Sequence, residues 1–91
     1  MPKTIVVIGG GNIRTRGTAP IDREIIRLSR KKHPRLLFIP TASSDCERYW
    51  KHVQEYFGDF LKCKTDVLFL IKEHPSKASI QKKILSADII Y

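Results

Sequence analysis

Ninety-one residues suffice for one small domain, and a chain of that size buries only about 60–65% of the surface that its unfolded form exposes. With 42% hydrophobic and 29% charged residues, the composition excludes the low-hydrophobicity disordered class. The apolar runs are far shorter than a membrane span and the N-terminus lacks the pattern of a signal peptide, so the expected address is the cytoplasm.

Thr4 to Ile8 is a β-branched apolar run that stops at three glycines, which predicts a strand buried on both faces. Behind Thr18 as a cap and Pro20 as the first helical position, Ile21, Ile25 and Leu28 fall at i, i+4 and i+7 and predict a helix ending before Pro34. Leu36 to Ile39 predicts the second strand. Ser44 and Glu47 have the spacing of a capping box, and Cys46, Trp50, Val53, Phe57 and Leu61 form an apolar stripe behind them, with Gly58 as a weak point. Val67 to Ile71 predicts a third strand. A third helix is expected from Ser76, with Ile80, Ile84 and Leu85 turned inward, and Ala87 and Asp88 lead into a fourth strand that begins at Ile89. Alternation of this kind predicts a parallel sheet with helices packed on its faces. A buried-type strand ending at Tyr91 would leave a raw apolar edge, so the natural chain is expected to continue.

Gly9, Gly10, Gly11 and Asn12 follow the first predicted strand, at the end where open α/β sheets place ligands. A dinucleotide fingerprint fails at its third position, which is Arg14, and the second strand ends in Pro40 and Thr41 where an acidic residue would hold a ribose. A Walker loop fails too, because Thr18 follows Gly17 where a lysine should stand. Two readings of the glycines stay open: a tight turn, and close backbone approach to a ligand. Thr41 to Ser44 gather hydroxyls and free N–H groups ahead of a helix, a pattern that serves capping and also suits a polar or anionic substrate.

No nucleophile stands out. Cys46 belongs to an apolar stripe, no serine lies in a G-x-S-x-G elbow, and His33, His52 and His74 are scattered. Two cysteines and three single histidines offer neither a disulfide framework nor a metal pattern, so no metal and no cofactor are expected. The +8 charge permits a nucleic-acid partner or balancing acids elsewhere. Arg27, Arg30, Lys31, Lys32, His33 and Arg35 cluster about the end of the first helix, whose first turn carries Asp22 and Glu24, so the helix dipole accounts for them without specific nucleic-acid binding.

The pieces Ile8 to Asn12 (IGGGN), Ile39 to Ser43 (IPTAS) and Ser86 to Tyr91 (SADIIY) together resemble the peptidase E and cyanophycinase-like serine peptidases. The resemblance spans the chain and implies the class I glutamine amidotransferase-like fold: a three-layer α/β sandwich with a parallel sheet and helices on both faces. Residues 1–91 would be its N-terminal part, with about four strands and three helices. It implies hydrolysis of short peptides, with N-terminal aspartyl preference, by a Ser, His and acidic triad downstream of Tyr91. No catalytic residue falls within the chain, and Gly9, Gly10, Gly11, Asn12, Thr41 and Ser43 would line or support the substrate end of the sheet. The first and last strands are expected to be neighbours. Two alternatives remain: a non-catalytic amidotransferase-like relative, and a small basic module that binds nucleic acid or an acidic partner.

Overall fold

The computed structural model describes residues 3–91. Its centre is a parallel three-stranded sheet of β1 (Arg35–Phe38), β2 (Lys64–Val67) and β3 (Ile89–Ile90), in the order β2-β1-β3. Two fully buried prolines, Pro34 and Pro40, flank β1. Lacking N–H groups, they sit where no ladder donor is needed. Within β1, Leu36 and Leu37 point to opposite faces of the sheet, and each is only 1% exposed. Both faces of the central strand are therefore covered.

Helices α1 (Ala19–Leu28), α2 (Glu47–Val53) and α3 (Lys77–Ser86) alternate with these strands. Leu36 and Phe38 join Val53, Tyr56, Phe57, Leu61 and Cys63 in the main core, with Ile13 added from the loop before α1. Phe38 stacks against Tyr49 and Trp50 and meets Tyr91 edge-on, so α2 is pressed onto the carboxyl end of β1. Burial pushes the Tyr91 phenol up to about 12 and the Cys63 thiol up to about 11. Helix α3 begins beside Ser76, as expected, and Ser76 caps it, its side-chain oxygen accepting from Ser79 N at 3.1 Å. Across the sheet edge, Lys83 Nζ donates to the Val67 carbonyl at 2.7 Å.

Several expectations need correction. Thr4 to Ile8 forms no strand; Ile5 is 91% and Val7 88% exposed. A strand needs a neighbour to complete its hydrogen bonds, yet both sides of β1 are taken and the outer strand β3 is only two residues long. The last strand therefore has β1 as its neighbour instead of the first predicted strand. The third strand lies at Lys64–Val67, ahead of the expected Val67 to Ile71. Beyond Leu68 the chain leaves the ladder, and the N–H groups of Ile71 and Lys72 turn to the Asp45 carboxylate.

The capping box is absent as well. Ser44 and Asp45 both take left-handed backbone conformations, so the chain reverses there and Cys46 is the residue before α2, without a side-chain cap. The stripe then continues through a wider π-helical turn at Gln54–Phe60, which contains Gly58. On α1 the inward face is Asp22 and Ile26, whereas Ile21 and Leu28 are exposed. In α3 no residue is buried, and Leu85 is 75% exposed.

Asp88, just ahead of β3, ties the start of the sheet together. Its Oδ2 accepts from Arg35 N at 2.9 Å and its Oδ1 accepts from Lys31 Nζ at 2.6 Å. These bonds, the backbone one foremost, lower the Asp88 carboxyl below its ordinary value. A carboxylate whose folded-state pKa is lowered stabilises the fold above its unfolded value of about 4, and that contribution is lost as the pH falls through the lowered value. Asp88→Asn is expected to reduce stability at neutral pH. In denaturant titrations the gap between parent and variant should close as the pH drops below about 4. Phe57→Ala should cost about 3–5 kcal/mol, while Leu85→Ala should change stability by less than about 0.5 kcal/mol, both measured by urea unfolding.

Candidate functional site

The candidate site rests on two loops, each packed beside α2. The first runs from Gly9 to Gly17. Gly10 and Gly11 have φ of 145° and 118°, a region that side-chain-bearing residues rarely adopt. A Cβ at Gly11 would lie 2.3 Å from Thr18 Cγ2, whereas one at Gly9 would meet nothing within 4 Å. Asn12 then closes the loop. Its Oδ1 accepts from Arg14 N at 2.9 Å, and its carbonyl accepts from Thr15 N and Gly17 N. Among the described residues, the N–H groups of Gly9, Gly10 and Gly11 donate to no acceptor, and the residues are exposed.

The second loop is a 3-10 turn at Pro40–Ser43, directly beyond β1. Thr41 and Ser43 are exposed there. Ser43 Oγ donates to the Pro40 carbonyl at 2.9 Å, and Ser44 N donates to the Thr41 carbonyl at 3.0 Å. The Ser43 hydroxyl thus helps to close its own turn. Among the described residues, the two loops exchange no hydrogen bond with each other.

What fixes each loop is a buried aspartate that the sequence reading did not single out. Asp22, fully buried on α1, accepts through Oδ2 from Thr18 Oγ1 at 2.7 Å and from Tyr56 OH at 2.6 Å. Thr18 in turn carries the methyl group that packs against Gly11. The glycine loop is therefore held through Thr18 and Asp22 to Tyr56. Burial, then the hydrogen bond to Asp22, raises the Tyr56 pKa well above that of a free phenol, so the phenol stays a donor. Asp45, also fully buried, ends the Pro40–Ser43 turn and accepts through Oδ2 from Ile71 N at 2.7 Å and Lys72 N at 2.8 Å. In both carboxylates Oδ1 is buried without a partner among the described residues. The i, i+4 spacing of Thr18, Asp22 and Ile26 was the available signal for Asp22; nothing local marks Asp45.

His33 Nδ1 hydrogen-bonds to the Lys62 carbonyl, 29 residues on, at 2.8 Å, and His52 lies 4.0 Å from Glu55 one helical turn away. Both cysteines are free. Among the described residues, no group of three or more His, Cys, Asp or Glu side chains is placed to hold a metal ion, and no helix is long and apolar enough to cross a membrane.

Residues 5–91 match the sequence model of peptidase family S51. The chain is 30% identical over 92 residues to the Bacillus subtilis (strain 168) protein named Uncharacterized peptidase YgaJ, an alignment that covers 98% of this chain and 38% of that protein. No solved structure matches the chain. The chain belongs to peptidase family S51, and it spans 38% of the length of this relative.

The contrast between the two glycines can be measured directly. Gly11→Ala should lose about 1–3 kcal/mol, because it combines a forbidden contact with an unfavourable φ. Gly9→Ala should fall within about 0.5 kcal/mol of the parent. Thermal unfolding of the two variants side by side checks both values.

Proposed function

We propose that this member of peptidase family S51 is the N-terminal part of a serine peptidase with a class I glutamine amidotransferase-like fold, which hydrolyses short peptides and prefers an N-terminal aspartyl residue. The observation that carries this reading is the family match over residues 5–91. Parallel strands alternating with helices support it, as do two loops with exposed backbone and hydroxyl groups. The peptidase name of the Bacillus subtilis relative agrees with it.

In this reading the nucleophilic serine, its histidine and the acidic residue come from sequence downstream of Tyr91. The histidine takes the serine proton during attack on the scissile carbonyl and returns it to the leaving amine, and N–H donors hold the developing oxyanion. Gly9, Gly10, Gly11 and Asn12 form one wall of the substrate site, and Thr41 and Ser43 form another. The unpaired N–H groups of the glycines suit carbonyl or carboxylate oxygens of a peptide. Asp22 and Asp45 act through these loops as positioning residues.

The test is hydrolysis by the full-length natural protein. Release of free aspartate from aspartyl dipeptides is expected, with much slower turnover of the matching alanyl dipeptides, while residues 1–91 alone give no turnover. Absence of aspartyl-peptide hydrolysis by the full-length protein would overturn the specificity, and loss of all peptide hydrolysis would overturn the peptidase reading.

A further inference from the structure

Asp22 uses only half of its carboxylate. Both of its donors, Thr18 Oγ1 at 2.7 Å and Tyr56 OH at 2.6 Å, go to Oδ2. The residue is fully buried, and among the described residues Oδ1 has no hydrogen-bond partner. A buried carboxylate oxygen without a donor is costly, so one built into a fold calls for a partner. Asp45 shows the arrangement completed. Its Oδ2 accepts from the backbone N–H groups of Ile71 and Lys72, in the chain leaving β2, and so ties that chain to the turn after β1. Asp45 Oδ1 is also unpartnered, but that carboxylate already carries two backbone donors, whereas Asp22 carries none among the described residues.

What lies near Asp22 narrows the choice of donor. The Tyr91 ring lies 4.9 Å from that of Phe57, and Phe57 lies 4.9 Å from Tyr56, whose hydroxyl Asp22 holds. Burial first, then Tyr49 and the Asp22 carboxylate, raise the Tyr91 phenol, so Tyr91 and Asp22 share one region of the core. The Tyr91 backbone continues the ladder beyond β3. Its N–H donates to the Leu37 carbonyl at 2.8 Å, and its own carbonyl accepts from Ile39 N at 3.0 Å. A residue that follows Tyr91 therefore leaves the sheet at its carboxyl end, in the region where Asp22 Oδ1 stands.

We propose that Asp22 Oδ1 accepts a backbone N–H from the loop that follows Tyr91 in the natural protein, anchoring the loop that leaves β3 as Asp45 anchors the one that leaves β2. One carboxylate then holds three parts of the sheet's carboxyl end: the glycine loop through Thr18, the π-helical turn through Tyr56, and the loop after β3. A carboxylate suits this task because it accepts several charge-assisted hydrogen bonds at once. The competing occupant of Oδ1 is a buried water, which would satisfy the oxygen without anchoring any loop. The proposal rests on the reading that the natural chain continues past Tyr91. Its test reads structure and amide protection instead of turnover, so failure to hydrolyse peptides would leave it decidable.

The first measurement is a crystal structure of the full-length natural protein, in which Asp22 Oδ1 should stand within about 3.2 Å of a backbone nitrogen after Tyr91. A water or a side-chain donor in that place, or a natural chain that ends at Tyr91, would overturn the proposal. Hydrogen exchange on the same protein then weighs the contact, with the β1 amides of Leu36 to Phe38 as the reference for global opening. Asp22→Asn, whose neutral amide accepts more weakly, should speed exchange of the amides just after Tyr91 about tenfold relative to that reference. Tyr56→Phe removes a donor from Oδ2 alone and should leave their relative protection as in the parent. Equal loss of protection in both variants would make Asp22 a packing residue without an anchoring role, and an unchanged rate in Asp22→Asn would likewise overturn the contact.

Discussion

The rest of the structure depends on the burial of one four-residue strand on both faces and both edges. Leu36 and Leu37 are sealed from opposite sides, and the ladders to β2 and β3 occupy both edges of β1. Parallel ladders need crossover connections, and α2 and α3 supply them here. The strand also fixes where the chain turns outward. The Pro40–Ser43 turn begins where β1 ends, so the exposed hydroxyls of Thr41 and Ser43 stand at the carboxyl end of the sheet, the usual place for chemistry in open α/β folds.

Rigid loops require more than a sheet end, and two buried carboxylates provide the attachment. Each aspartate uses one oxygen twice: Asp22 for two hydroxyl donors, and Asp45 for two backbone N–H groups. A buried charge is costly unless it is hydrogen-bonded, and these double acceptances offset much of that cost. The consequence is mechanical. The glycine loop is coupled through Thr18 and Asp22 to the helical layer, and the Pro40–Ser43 turn is coupled to the chain that leaves β2.

The charge of the protein is distributed unevenly with respect to these elements. Among the described residues, Arg23, Arg30 and Lys32 about the end of α1 have no ion pair, and neither do Arg14 and Arg16 of the glycine loop, whereas the Pro40–Ser43 turn carries no cation. The family match over residues 5–91 places the chain in peptidase family S51.

Several elements were legible in the sequence for local reasons. The alternation of strands and helices, the place of β1 between two prolines, the start of α3 beside Ser76 and the family motifs all depend on residues within a few positions of one another. The departures arose where a distant partner decided. Thr4 to Ile8 has the composition of a strand, yet no strand forms without a free ladder of matching length. Ser44 and Glu47 have capping-box spacing, but Asp45 is drawn to N–H groups 26 and 27 residues away and the backbone reverses instead. Asp22 reads in the sequence as an acid that complements the helix dipole, and the partner that makes its burial tolerable is the Tyr56 hydroxyl, 34 residues on. Composition and spacing determined where the helices and the central strand form, because propensity and periodicity act along the chain. Only tertiary structure decided which polar groups are buried, since the partners that make burial tolerable are brought near by folding itself.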